Sequence, residues 1–198
     1  KRHCMIVHAY YPARETRVQR EAEALLEAGI EVDVICLQEK GGIKYEEVNG
    51  IRIFRMPVRR HKGKGTFVQL IEYLSFFFLA FFRVTSLHLK NKYAVVQVHN
   101  LPDFLVFAAL IPRISGAAVI LDLHDLMPEF YASRFKCSME NARVKIVSLQ
   151  EKISCLFAHH VITVTETWRQ HLISRGLKPS KCSVVMNTAD DRHFKPGM

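Results

Sequence analysis

Apolar and polar positions follow two rhythms along this chain. Short apolar runs recur at Met5–Ala9, Val32–Leu37, Ala94–Val98, Ala118–Leu123, His160–Val164 and Ser183–Met186, and each reads as a buried strand. Between them lie stretches with a helical period. From Glu15 to Ala28, the residues Val18, Ala22, Leu25 and Leu26 fall at i, i+4, i+7 and i+8, forming one apolar stripe. Gly29 then suits the position just past a helix, and apolar Ile30 suits a Schellman closure. Further helices are expected over roughly 67–89, 103–114 and 141–157, and from Glu166 to Gly176 with Thr165 as its N-cap. A loop or short helix runs to about Phe135. Asn49-Gly50, set between two apolar runs, predicts a tight hairpin. Strands that alternate with helices predict an α/β fold: a Rossmann-like three-layer sandwich with a mostly parallel sheet and helices on both faces.

Composition adds a core and a lopsided charge. At 198 residues with 49% hydrophobic content, the chain suits one large domain or two small ones. Its five cysteines are scattered and form no C-x-x-C pair, which excludes a zinc ribbon or a disulfide scaffold. They fit small buried residues in a reducing compartment, hence a cytoplasmic protein. Of the net charge of +9, most belongs to residues 48–102, where nine Lys/Arg face one acid, Glu72. The basic loop Arg59-Arg60-His61-Lys62-Gly63-Lys64 leads into a helix with six phenylalanines between Phe67 and Phe82. Its uncharged core, Tyr73–Phe82, spans roughly 15 Å of helix and is too short to cross a bilayer. Two readings stay open. In one, this is a core helix whose outward phenylalanines, Phe77 and Phe81, meet a partner domain or another subunit. Alternatively they dip into an anionic membrane surface beside Arg59, Arg60, Lys62 and Lys64, which would place the protein at the inner face of the membrane. No nucleic-acid motif accompanies the charge.

Two strands end in polar, proline-terminated loops that each carry a histidine. One is Val98-His99-Asn100-Leu101-Pro102-Asp103, and the other is Leu121-Asp122-Leu123-His124-Asp125-Leu126-Met127-Pro128-Glu129. Carboxyl ends of strands are where open α/β sheets bind ligands. Asp122 and His124, two apart, can share a face, and a carboxylate beside an imidazole fixes its tautomer. His124 is the leading functional candidate. His99, Asn100, Asp125 and Glu129 are candidate ligand contacts, although Asp125 and Asp103 can equally serve the helices that follow, with Pro128 at a first helical position. His8, at the end of the first strand, has the same positional argument. His99, His124 and Asp125 could converge on a metal, but no metal-ligand spacing supports one, and no metal is expected. The loop after the first strand has no glycine before Gly29, which removes both the dinucleotide fingerprint and the P-loop. Arg14 and Arg17 in this segment can reach a phosphate or pair with Glu15 or Glu21.

The ordered set of these segments resembles the N-terminal half of family 4 glycosyltransferases of the GT-B fold. The matching pieces are Val18–Leu25 with Ala28–Val34, Val96–Asn100, Leu121–Asp125 with Pro128-Glu129, Ala158–Val164 and Lys181–Asn187. The resemblance implies a retaining transferase that moves a sugar from a UDP- or GDP-linked donor to a glycan or lipid-linked acceptor. It implies no bound cofactor. The residue matching His124 would lie at the reaction centre, with Asp125, His99 and Asn100 shaping an acceptor pocket that His8 and residues 13–17 flank. The family's usual Gly-Gly loop is replaced here by Ala13–Arg17, so Arg14 or Arg17 would stand in at the donor diphosphate. Residues 1–188 would form the acceptor-side domain, and residues 189–198 would begin a linker to a donor-binding domain outside this chain. The chain alone would then be inactive. Rival readings are a non-catalytic docking module and a metal-dependent hydrolase.

Overall fold

The computed structural model describes residues 1–13, 15–61 and 65–187. Arg14, Lys62, Lys64 and the expected linker at 189–198 lie outside the described residues. The strands are β1 (Arg2–Val7), β2 (Glu31–Leu37), β3 (Tyr45–Val48), β4 (Ile51–Met56), β5 (Val95–His99), β6 (Ala118–Leu123), β7 (His160–Thr163) and β8 (Cys182–Val184). The helices are α1 (Thr16–Glu27), α2 (Thr66–Asn91), α3 (Leu110–Ile114), α4 (Met127–Phe135), α5 (Ala142–Phe157) and α6 (Glu166–Ser174).

One eight-stranded sheet runs β3-β4-β2-β1-β5-β6-β7-β8. Every neighbouring pair is parallel except β3–β4, the antiparallel hairpin that Asn49-Gly50 predicts. Both turn residues take positive φ, 52° and 83°, as a primed hairpin turn requires. The expected Schellman closure of α1 is also present. Ile30 donates its N–H to the Leu25 carbonyl and Gly29 donates to Leu26, with Gly29 at φ 74°. Thr165 caps α6 by accepting from the Trp168 N–H.

Alternation along the strands sends side chains to two faces. Met5, Val7, Val32 and Val34 pack with Val18 and Ala22 of α1. Cys4, Ile6 and Ile35 pack instead with the inner row of α2 and with Leu105, Val106 and Cys155. The sheet order reverses between β1 and β5, because the chain builds β1, β2, β4 and β3 to one side before returning for β5. His8, His99 and His124 stand at the carboxyl ends of β1, β5 and β6, three adjacent strands at this switch point.

Three local expectations change. The helix expected over 103–114 is a 3-10 helix from Asp103 to Ala109, followed by the short α3. Pro112 has no N–H to give and is tolerated only in a first α-helical turn, so regular helix starts near residue 110. Pro128 sits at the second position of α4 rather than the first, because Leu126 is the N-cap, and no side chain caps this helix. Phe77 and Phe81 are half-buried against the core instead of facing outward. Phe76 and Ala80 form the innermost row, and 100° per residue puts 77 and 81 on its flank and 78 and 82 outside.

Asp33, fully buried on β2, accepts from Arg52 Nε at 2.7 Å, Arg52 Nη2 at 2.6 Å and the Tyr93 hydroxyl at 2.5 Å. Removing the guanidinium leaves a buried carboxylate with one neutral donor. The substitution Arg52→Ala is expected to destabilise the fold by about 3 kcal/mol, the low end for breaking a buried pair because Arg52 keeps partial contact with water. Urea denaturation checks this, and a change below about 1 kcal/mol would show that the pair contributes little.

Candidate active site

The site is built around one carboxylate. Asp122 lies in β6, fully buried and in register with His99 of β5. Arg17 reaches it from the first turn of α1 with two parallel bonds, Nε to Oδ2 and Nη2 to Oδ1, each 3.0 Å. His99 Nδ1 is 3.1 Å from Oδ2, and His124 Nε2 is 3.4 Å from the same oxygen. The two imidazoles meet edge to face with 3.1 Å between His99 Nδ1 and His124 Nε2. Burial alone would raise the Asp122 carboxyl, but the hydrogen bonds from His124 and His99, the His99 charge and Arg17 together hold it well below the usual carboxylate range.

Asn100 fixes the two loops to each other. Its Oδ1 accepts from the His124 N–H at 2.7 Å and the Asp125 N–H at 3.4 Å. Its Nδ2 donates to the Asp125 carbonyl at 2.6 Å and to Asp103 Oδ1 at 2.9 Å. The backbone N–H of Asn100 also donates to the Asp122 carbonyl. Every polar atom of this amide is thus used to hold the loops, and none is left over for a substrate.

His124 is placed differently from its neighbours. Its side chain is 19% exposed, whereas that of His99 is fully buried. With its proton on Nε2 and aimed at Asp122, a neutral His124 ring carries a lone pair at Nδ1, which takes no protein partner among the described residues. Two carboxylates lie within electrostatic reach of this ring. Burial raises the carboxyl of Asp125, with His124 opposing. Burial likewise raises that of Glu15, the N-cap residue of α1, against the charges of His124, His99 and Arg60. The pattern of positions gives no sign of Glu15, because it precedes a helix as any surface acid does.

The other expected contacts are committed elsewhere. Arg17 donates to Asp122, to the Val185 carbonyl at 2.8 Å and to Asn187 Oδ1 at 2.9 Å, and it pairs with Glu21 at 3.2 Å. It is a buried structural cation and not one presented to a phosphate. His8 is buried edge-on to Tyr73 and Phe76, with Nε2 3.2 Å from Glu72 Oε1. Burial, with the charge of Arg60 added, pushes its ring down to about 3. Glu129 pairs with His171 of α6 and with Arg175, the residue that closes it, and so ties α4 to that helix. Asp125 caps no helix. His99, Asp122 and His124 have ligand atoms all within 4.8 Å of one another, so Asp122 takes the place expected for Asp125 in a convergent set. A cation there would compete with a guanidinium already bonded to both oxygens of Asp122.

A family model described as a glycosyl transferase 4-like domain matches residues 14–188. The chain belongs to this glycosyl transferase 4-like family. A curated relative, the chitobiosyldiphosphodolichol beta-mannosyltransferase of Candida glabrata, is 31% identical over 108 residues, which cover 54% of this chain and 23% of that protein. The sucrose-phosphate synthase of Thermosynechococcus elongatus superposes with a TM-score of 0.68 at 17% identity, covering 100% of this chain and 50% of its own. The lipopolysaccharide outer core galactosyltransferase WaaB follows at 0.57 and 10% identity, covering 96% of this chain and 46% of its own. A UDP-GlcNAc 2-epimerase from Methanocaldococcus jannaschii scores 0.56 at 15% identity, covering 93% and 45%. These structures share the fold with the family member described here, and the chain spans half or less of each of these relatives.

Beneath the site, Asp103 is fully buried, and its Oδ2 has no hydrogen-bond partner among the described residues. Burial, opposed by the Asn100 bond and reinforced by Glu151, pushes this carboxyl up to about 7. A carboxyl raised in the folded state binds its proton there and not in the unfolded chain. The contribution of Asp103 to stability is therefore fully present below the ordinary carboxylate value and is lost as pH rises from about 4 to about 7. Asp103→Asn keeps the acceptor for Asn100 and removes the charge. It is expected to abolish this decline and to gain about 2–4 kcal/mol over the parent at pH 8. Denaturation curves across that range check it, and parallel pH profiles for the two proteins would refute it.

Proposed function

We propose that this chain is the acceptor-side half of a retaining glycosyltransferase that moves a sugar from a UDP- or GDP-linked donor to a glycan or lipid-linked acceptor. The observation that carries the reading is the state of His124. Its Nε2 is anchored on a buried, ionised carboxylate, and its Nδ1 is left open at the carboxyl edge of the sheet, where ligands of α/β folds bind. An anchored ring loses no orientation when it meets substrate. Neutral, Nδ1 accepts from a sugar hydroxyl. Protonated, it donates toward the negative charge that develops on the departing diphosphate. Asp122, Arg17, His99 and Asn100 act as positioning residues for this ring. Asp125 and Glu15 supply the carboxylates that flank it.

The beta-mannosyltransferase relative, whose name describes a sugar on a dolichol diphosphate, supports a lipid-linked acceptor. Five free cysteines fit a cytoplasmic setting. The nucleotide-sugar would be held chiefly by a second domain across the cleft, since Arg17 is committed to the protein interior. Residues 1–198 alone are accordingly expected to transfer no sugar from radiolabelled donors, and turnover by this chain would overturn the two-domain reading.

In the complete enzyme, His124→Ala is expected to lower kcat by about 10²–10³. Its unfolding midpoint should stay near that of the parent, because Arg17 still holds Asp122. An unchanged kcat would remove His124 from the reaction centre. Product configuration at the anomeric carbon, read by NMR against the donor, tests retention, and the opposite configuration would reject it while leaving the transferase intact.

A further inference from the structure

The 26-residue helix α2 is about 39 Å long and runs the full height of the sheet. Its inner row, Glu72, Phe76, Ala80, Val84 and His88, is buried. Its outer row, Phe67, Ile71, Leu74, Phe78 and Phe82, is not, with Phe67 74%, Phe78 54% and Phe82 66% exposed. Helix α5 contributes Cys155 to the same core cluster and turns a second apolar row outward, Ile146, Leu149, Ile153 and Leu156. Each helix thus shows a row of exposed large apolar side chains rather than the scattered single ones that are normal on a soluble surface.

By length and composition α2 could cross a bilayer. Its inner row argues against that. His88 accepts from the Tyr93 N–H and contacts the Ser115 hydroxyl, Glu72 pairs with His8 and His61, and Phe76, Ala80 and Val84 complete the sheet's core. Spanning would strip all of these contacts, whereas lying flat keeps them.

Charge selects the occupant. Arg59 and Arg60 precede the helix and Lys90 and Lys92 close it, all exposed. Glu72, the one acid between residues 48 and 102, is buried, accepting from the His61 N–H and lying beside the His8 ring. The apolar row of α2, bounded by cations and with no exposed carboxylate among the described residues of 48–102, complements a surface of acyl chains beneath anionic headgroups; α5 adds Lys145 and Lys152 beside its row, with exposed Glu140 just before its start. We infer that the outer faces of α2 and α5 dock on an anionic membrane, with the sheet lying along it and the carboxyl edge opening beside the headgroups. The N-terminal end of α2 is the end at the site. Glu72 and Phe76 touch His8, and the charge of Arg60 acts on His8 and Glu15. An acceptor held in the lipid surface would then reach His124 without leaving it. The docking itself does not depend on the transfer reading.

Vesicle flotation without any sugar donor tests this. The chain should float with phosphatidylcholine vesicles containing phosphatidylserine, more strongly at low salt than at high salt. Phe78→Ser with Phe82→Ser should weaken binding at least about tenfold, and Ile146→Ser with Leu149→Ser should do likewise, since each pair removes apolar burial. Arg59→Glu with Arg60→Glu should weaken binding to the phosphatidylserine vesicles at least about tenfold. All these side chains lie outside the core, so circular dichroism melts should match the parent. Failure to float at low salt overturns the inference, as does flotation of both apolar variants at parental strength. A stable dimer by light scattering that Phe78→Ser with Phe82→Ser dissolves would assign the face to a second copy and overturn it equally.

Discussion

The bidentate pair between Arg17 and Asp122 is the contact on which the rest of this molecule turns. A buried carboxylate is costly unless its charge is met and its lone pairs are filled. Here the guanidinium meets the charge, and two imidazoles crowd the oxygen it shares with them. The pair joins α1, on one face of the sheet, to β6, an inner strand. Through the Val185 carbonyl and Asn187 it also reaches past the final strand. One atom thus serves two contacts, since Asp122 Oδ2 both accepts from Arg17 and faces the ring of His124.

Asn100 does for the backbone what Asp122 does for the side chains. By accepting from His124 and Asp125 and donating to Asp103 and to the Asp125 carbonyl, it converts two independent strand ends into one rigid rim. That rigidity lets a single, mostly buried imidazole hold its direction. The fold is shared with an epimerase as well as with transferases, so the sheet by itself does not name a chemistry.

Much of the architecture was legible because the signals are local. The i, i+4, i+7 stripe, Gly29 with Ile30, Asn49-Gly50 and Thr165 each act within a few residues, and each forms the element it implies. The 3-10 segment after Asp103 was not legible, because the effect of Pro112 depends on where a helix starts. The outward face of α2 needed the structure for a similar reason. In a helix apolar on every side, only the packing partner decides which phenylalanines are buried. At the site, the Asp122–His124 relation followed from strand alternation. The roles of Arg17, Asn100 and Glu129 did not, because their partners lie 105, about 25 and about 42–46 positions away. Residues that looked available for substrate are occupied by contacts the linear order conceals.

The separation of 105 positions between Arg17 and Asp122 also has a meaning in time. At a synthesis rate of about 5–20 residues per second, the arginine leaves the ribosome roughly 5–20 s before its carboxylate exists. Throughout that interval α1 can cover β1 and β2 through its apolar stripe, but its guanidinium must stay hydrated at an open flank. The helix made first is therefore locked last. The rim is assembled only when β6 arrives to meet a side chain that has been waiting for it.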